Sequence, residues 1–380
     1  MKHHRDKLDF PFVHQPVEFD KFTEKELLQF CLGGTLYMPG TRQIVDKILQ
    51  SRMNDLTSMV MCFEDAIAAE DLPRAEANVL EHLDTLARAI EKGQIQHGEI
   101  PLIFLRVRNT DQFMQFSSCL SPEQANVLTG FVFPKFYTSN APIYLDRLAA
   151  LNEKLGVLLY GMPILEGKAI AYRESRDREL QLLREILEPF KRWILNVRIG
   201  GTDFSSIFGV RRNMNSSIYD IVAVRDCLAD ILNYFNRAID GYVVSGPVWE
   251  YFLASNTDDI DEVASENIHN SLLNRQPIIN AAIDGLLREV LLDKANGFIG
   301  KTIIHPSHLK YVNAMQAVTR EEYEDAQQIL RTNGGVVKST RANKMNEINP
   351  HRSWAQRLVG CGAAFGVIED DTHYIRLCQA

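Results

Sequence analysis

The sequence predicts an α/β protein, a TIM (β/α)8 barrel with an N-terminal extension and a small C-terminal appendage. Two observations lead there. Eight short apolar runs recur along the 380 residues, and segments of helical periodicity separate them. The runs are apolar throughout rather than alternating with polar residues, which suits strands buried on both faces of a parallel sheet. Eight strand–helix units close into a barrel more readily than they spread into an open sheet.

The runs are TLYM (35–38), SMVMCF (58–63), PLIFLRV (101–107), GFVF (130–133), GVLLYGMPIL (156–165), WILNVRI (193–199), GYVVS (241–245) and KTIIHP (301–306). Between them lie QIVDKILQSRM, RAEANVLEHLDTLARAIEKG, SPEQANVL, IYLDRLAALNEKL, ESRDRELQLLREILEPF and IYDIVAVRDCLADILNYFNRAI, then a long span over roughly 262–295. Gly93 is placed to cap the second of these helices. The predicted organisation is an N-terminal extension over 1–30, with a helix at TEKELLQFC, a barrel over 31–334, and an appendage or lid over 335–380.

The formal net charge is −8, with 41 basic and 49 acidic residues. Nucleic acid and anionic membranes reward clustered Lys and Arg, so neither is an expected partner. No run reaches the ~18 apolar residues of a membrane span. MKHHRDKLDFPF lacks the apolar stretch of a secretory signal, and a cytoplasmic location follows as the expectation. Six scattered cysteines without a CxxC pair predict reduced, mostly buried thiols.

Barrel enzymes carry their chemistry at the C-terminal ends of the strands. The polar residues that follow the apolar runs are Pro39-Gly40-Thr41-Arg42, Glu64-Asp65, Arg106 and Arg108, Lys135, Glu166, Asp203, Ser245 and His305. Glu166 and Asp203 end consecutive runs. Two carboxylates on one rim, without His or Cys beside them, suit Mg²⁺ or Mn²⁺ better than Zn²⁺. The same residues also suit helix caps, and residue type leaves both readings open. Glu64 and Asp65 fit two roles as well: orienting metal-bound water and an arginine, or pairing with Arg106 and capping a helix. Arg106 offers a rigid fork of donors to a carboxylate or a developing enolate oxygen, or to those same two acids. Gly200-Gly201-Thr202 lets backbone approach a ligand closely. Arg42, Arg211 and Arg212 are candidates for an anionic tail. His305 and His308, each lone, read more readily as structural. Neither a GxSxG elbow nor a Cys/His pair is present to support serine or cysteine nucleophiles.

The order of these motifs resembles the citrate lyase beta chain and malyl-CoA lyase group, the HpcH/HpaI aldolase superfamily of barrel lyases. The resemblance spans about 33–335. It rests on TLYMPGTR, MCFEDAIAAED, LRVRN, GFVFPK, PILEGKA, IGGTDF and GFIGKTIIHPSHLKYVN in family order. It implies Mg²⁺ held by Glu166 and Asp203, with Arg106, Glu64 and Asp65 in the catalytic machinery. Arg42, Arg106, Lys135, Gly201 and Thr202 would bind substrate. Departures are Gly167, where the family has Thr or Ser, and FSSIFG followed by RRNMNSS, where it has DLG. The tail NKMNEINPHRSWA also differs, and the chain looks like a divergent branch associated with stress and tellurite-resistance gene clusters.

The implied activity is breakage of a carbon–carbon bond in a 2-oxo acid or acyl-CoA substrate, through a metal-stabilised enolate. The C-terminal acid expected as base is Glu369 in GVIEDD, reaching a neighbouring subunit, so a homo-oligomer (trimer or hexamer) is implied. Two other readings are a thioesterase or condensing synthase on the same site, and a weakened barrel acting as a binding subunit of a biosynthetic complex.

Overall fold

A computed structural model describes residues 1–252, 271–272, 278–341 and 343–379. Seven strands form one parallel sheet: β1 (Gly34–Pro39), β2 (Ser58–Cys62), β3 (Leu102–Arg106), β4 (Leu128–Phe133), β5 (Tyr160–Leu165), β6 (Arg198–Ile199) and β7 (Lys301–Ile303). Their order is β6-β5-β4-β3-β2-β1-β7. Seven of the eight apolar runs coincide with these strands. The remaining run, GYVVS, is not a regular strand but hydrogen-bonds to both edges of the sheet. Val197 N–H donates to Val243 O and Ser245 N–H to Val197 O on the β6 side, while Ile299 N–H donates to Val244 O and Thr302 N–H to Gly246 O on the β7 side. The sheet is therefore curled, and one segment bridges its two edges.

Because side chains alternate along a strand, each run feeds two cores. Val60, Leu102, Phe104, Val132, Tyr160, Met162 and Ile164 meet inside the curl. Met59, Met61, Ile103, Leu105, Phe131 and Val197 pack outward against helices such as Leu72–Glu91, Ala141–Leu155 and Arg173–Leu187. The span read as 262–295 contains the helix Ala281–Ala295; most of its first half lies outside the described residues. All six cysteines are free, and Cys31, Cys62, Cys227 and Cys378 are buried. Among the described residues, no helix is long and apolar enough to cross a membrane.

Residues 1–30 contain the short helix Lys25–Leu28, and their apolar side chains join the inner core: Met1, Phe19, Leu28 and Phe30 cluster with Leu102 and Tyr160. His3 is fully buried, bonding Cys31 O at 2.8 Å, with its ring 4.4 Å from Phe365. At the other terminus, β8 (Val318–Thr319) pairs in parallel with β11 (Val367–Ile368), and β9 (Val336–Lys338) forms a hairpin with β10 (Met345–Glu347). The helix Ile348–Phe365 packs on the helix Arg320–Arg331. Phe365 lies against Gly33, just before β1, at the end of the sheet opposite the strand-terminal acids.

Candidate metal and substrate site

Strand alternation sets the site. On β3 the inward positions are Leu102, Phe104 and Arg106; on β5 they are Tyr160, Met162 and Ile164, with Glu166 next in register. The last inward position of each strand is thus a charged one, lying where the apolar lumen ends. Glu64, Arg106 and Glu166 are all buried.

Arg106 is the hub. Its Nη2 lies 2.6 Å from Glu64 Oε2, 3.2 Å from Asp65 Oδ2 and 3.7 Å from Glu166 Oε1. Burial disfavours its charge, but the negative groups around it, Glu166 and Glu64 among them, hold its pKa above the usual range. Lys135 Nζ donates to Glu64 Oε1 and lies 3.7 Å from Asp65 Oδ1. Its backbone N–H donates to Glu166 Oε1 at 2.7 Å. Lys135 is left-handed, φ 47°, a conformation strained for a residue with a side chain and concentrated at functional sites. Glu64 is raised by burial and by its hydrogen bond with Asp65, against Arg106 and Lys135. In Asp65 burial is outweighed by Glu64 and Arg106, and its pKa is lowered.

Asp203 sits in the first turn of the helix Gly201–Ile207, within hydrogen-bonding reach of Glu166. Burial, then the charge of Asp203, pushes Glu166 up to about 8, with Arg106 opposing. Two adjoining carboxylates so placed need a proton or a cation between them. Gly200 makes their approach possible, since a Cβ there would fall 2.0 Å from Glu166 Oε2. Gly167 has φ +91°, and a Cβ would meet the Tyr137 hydroxyl at 1.9 Å. The tyrosine thus occupies the space that a side chain after the glutamate would need.

A cavity of about 470 Å³ opens beside these groups, lined by Tyr37, Arg106, Glu166, Arg198, Gly200, Gly201, Thr202, Asp203 and Thr302, among others. That volume suits a small metabolite. A larger cavity of about 1080 Å³ lies between the helices Ala281–Ala295 and Ile348–Phe365, and none of the strand-end acids Glu64, Asp65, Glu166 or Asp203 lines it. Among the described residues, no cluster of three or more His, Cys, Asp or Glu is arranged to hold a metal. The Glu166–Asp203 pair supplies two carboxylates, which fits an ion that keeps water and substrate oxygens as its other ligands.

The structure gathers Glu64, Asp65, Arg106, Lys135, Glu166, Gly201, Thr202 and Asp203 around one rim. It does not bring the other candidates there. Arg42 is exposed and does not line the cavity. Arg211 is exposed, whereas Arg212 is buried on Glu250 and Glu289, so its guanidinium is already engaged by acids. Glu369 is paired with Arg320 at 2.8 Å, away from the cavity lining. Arg108 donates to Phe63 O. His305 stacks on Phe252, and buried His308 bonds Tyr251 O. Ser245 bonds Ile299 O. Tyr37, Arg198 and Tyr137 lie at or beside the site without having been singled out. The first two sit inside apolar runs, where alternation along the strand was the available signal.

A curled parallel α/β sheet with acids and an arginine at its strand ends defines a class, proteins of the TIM-barrel type. The chain belongs to the family of carbon–carbon bond lyases of the TIM-barrel fold, whose family model matches residues 26–367. No curated protein sequence matches it. Among solved structures, CitE from Mycobacterium tuberculosis, in complex with magnesium, acetoacetate and coenzyme A, is 16% identical with a TM-score of 0.50, over 88% of this chain and 99% of that one. The Haloferax volcanii malate synthase magnesium/glyoxylate complex is 15% identical, TM-score 0.49, over 73% and 72%. RipC from Yersinia pestis is 14% identical, TM-score 0.46, over 74% and 94%. At such identities the CitE likeness speaks to the fold.

Proposed function

We propose that this chain is a Mg²⁺-dependent lyase that breaks a carbon–carbon bond in a 2-oxo acid or acyl-CoA-type substrate. The observation that carries the reading is the meeting of Glu166 and Asp203 beside Arg106, at the mouth of a small cavity. Glu166 and Asp203 would hold the ion, which when bound supplies a Lewis acid for negative charge developing on a substrate oxygen. Arg106 adds donors to that oxygen. Glu64 and Asp65 keep its guanidinium from swinging away, and Lys135 holds Glu64 in turn. The backbone of Gly200 and Gly201 leaves room for the substrate next to the carboxylates. The eighth strand position of the barrel is read as Tyr242–Gly246. Glu369 remains the candidate base only by reaching the site of a second copy, since within this chain Arg320 engages it.

Calorimetric titration of Mg²⁺ into wild type and Glu166→Ala tests the metal. Binding by wild type that the variant loses is the expected result. Unchanged affinity in Glu166→Ala overturns the assignment.

A further inference from the structure

The lumen holds a second arginine. From Asn196 through β6 to Gly200 the alternate residues Asn196, Arg198 and Gly200 share one side, and Gly200 faces Glu166. Arg198 therefore points into the lumen, where its Nη1 donates to Thr35 Oγ1 at 3.3 Å on β1 and its Nη2 to Thr302 Oγ1 at 2.7 Å on β7. The Tyr37 ring lies 5.5 Å from its Cζ. Arg198 is only 1% exposed, yet it lines the same cavity as Arg106, Glu166, Tyr37 and Thr302.

Its partners set it apart. The other buried arginines each rest on acids: Arg106 on Glu64 and Asp65, Arg176 on Asp230, Arg212 on Glu250 and Glu289. Among the described residues, no carboxylate pairs with Arg198, and its buried Nε has no hydrogen-bond partner. A guanidinium stays charged in proteins, and burying it against hydroxyls alone leaves its charge uncompensated. Its planar fork matches the paired oxygens of a carboxylate, as it does those of a phosphate.

Building on the lyase reading above, we propose that Arg198, with Tyr37 and Thr302, binds a second carboxylate of the substrate. The site then selects small dicarboxylic 2-oxo acids over monocarboxylic ones. One carboxylate end meets Arg106 and the rim acids' ion, and the other descends toward Arg198.

The test titrates the Mg²⁺-loaded full chain with oxaloacetate and 2-oxoglutarate, against the same-length monoacids 2-oxobutyrate and 2-oxopentanoate. Wild type should prefer a diacid by roughly 10- to 100-fold, the scale of one charge-assisted bidentate contact. Arg198→Met should abolish that preference while leaving monoacid affinity in place. A wild type without preference, or a preference that survives in Arg198→Met, overturns the proposal. If Arg198→Met does not fold, Arg198→Lys decides: a reduced preference supports the subsite and an undiminished one overturns it. If no 2-oxo acid binds even with Mg²⁺, the lyase reading fails separately. Malonate titrated without metal then judges Arg198 alone. Binding lost in Arg198→Met supports the anion subsite, and no binding or no difference overturns it.

Discussion

Two buried charge clusters border this curled sheet, and only one of them lines the cavity of about 470 Å³. Outside the sheet, Glu289 accepts Arg212, Lys301 Nζ at 2.9 Å and the Ile218 N–H at 2.9 Å. Lys301 also reaches Asp293 at 2.7 Å, and the Tyr219 hydroxyl donates to the same acid at 2.6 Å. At the rim, Arg106 and Lys135 serve Glu64 and Asp65, and among the described residues no cation pairs with Asp203. The outer cluster satisfies its acids with cations, a tyrosine and a backbone donor. The rim leaves two carboxylates facing each other. Buried charge alone therefore does not mark a site; a deficit of countercharge beside open space does.

The outer cluster should answer mutation by unfolding. Glu289→Ala leaves Lys301 with Asp293 alone and Arg212 with Glu250 alone, and breaking such buried pairs typically costs about 3–5 kcal/mol. Urea unfolding should show that loss. A variant within 1 kcal/mol of wild type would mean that the network contributes little. The rim should answer through turnover instead. Arg106→Lys keeps the charge and loses the fork, and turnover of an established substrate should fall about 100- to 1000-fold. A Tm drop without that loss would make Arg106 a structural partner of Glu64 and Asp65.

The same contrast explains what could be read from the sequence. The rim residues end apolar runs, so searching after each run found Glu64, Arg106, Lys135, Glu166 and Asp203. Arg198 holds the same penultimate place in WILNVRI as Arg106 in PLIFLRV, and Tyr37 lies inside TLYM; only alternation along the strand reveals that such positions face the lumen. GYVVS read as a strand but forms only isolated bridges to the two sheet edges, and these depend on hydrogen bonds to distant segments. Arg212 looked free for an anionic tail, because Glu250 and Glu289 are remote in sequence and no local pattern announces them. Local chemistry was legible; closure of charge by long-range packing was not.

The smallest effect separates the clusters by the sign of their pH dependence. Glu166 titrates near 8 when folded, against about 4.5 for an ordinary glutamate. Between those values the folded, metal-free protein keeps a proton that the unfolded chain has released. Its stabilising contribution is therefore present at low pH and lost as pH rises through about 8. Glu289 behaves oppositely. Burial would raise it, but Lys301 and Arg212 outweigh burial and hold it below the ordinary range. Its contribution is present at higher pH and lost as the solution is acidified below that range. Chemical unfolding in a chelator at pH 5.5 and 8.5 should show Glu166→Gln escaping a decline on the order of 2 kcal/mol that wild type suffers. An equal decline in both proteins would mean that Glu166 ionises without strain, and that the rim acids are already compensated as fully as Glu289.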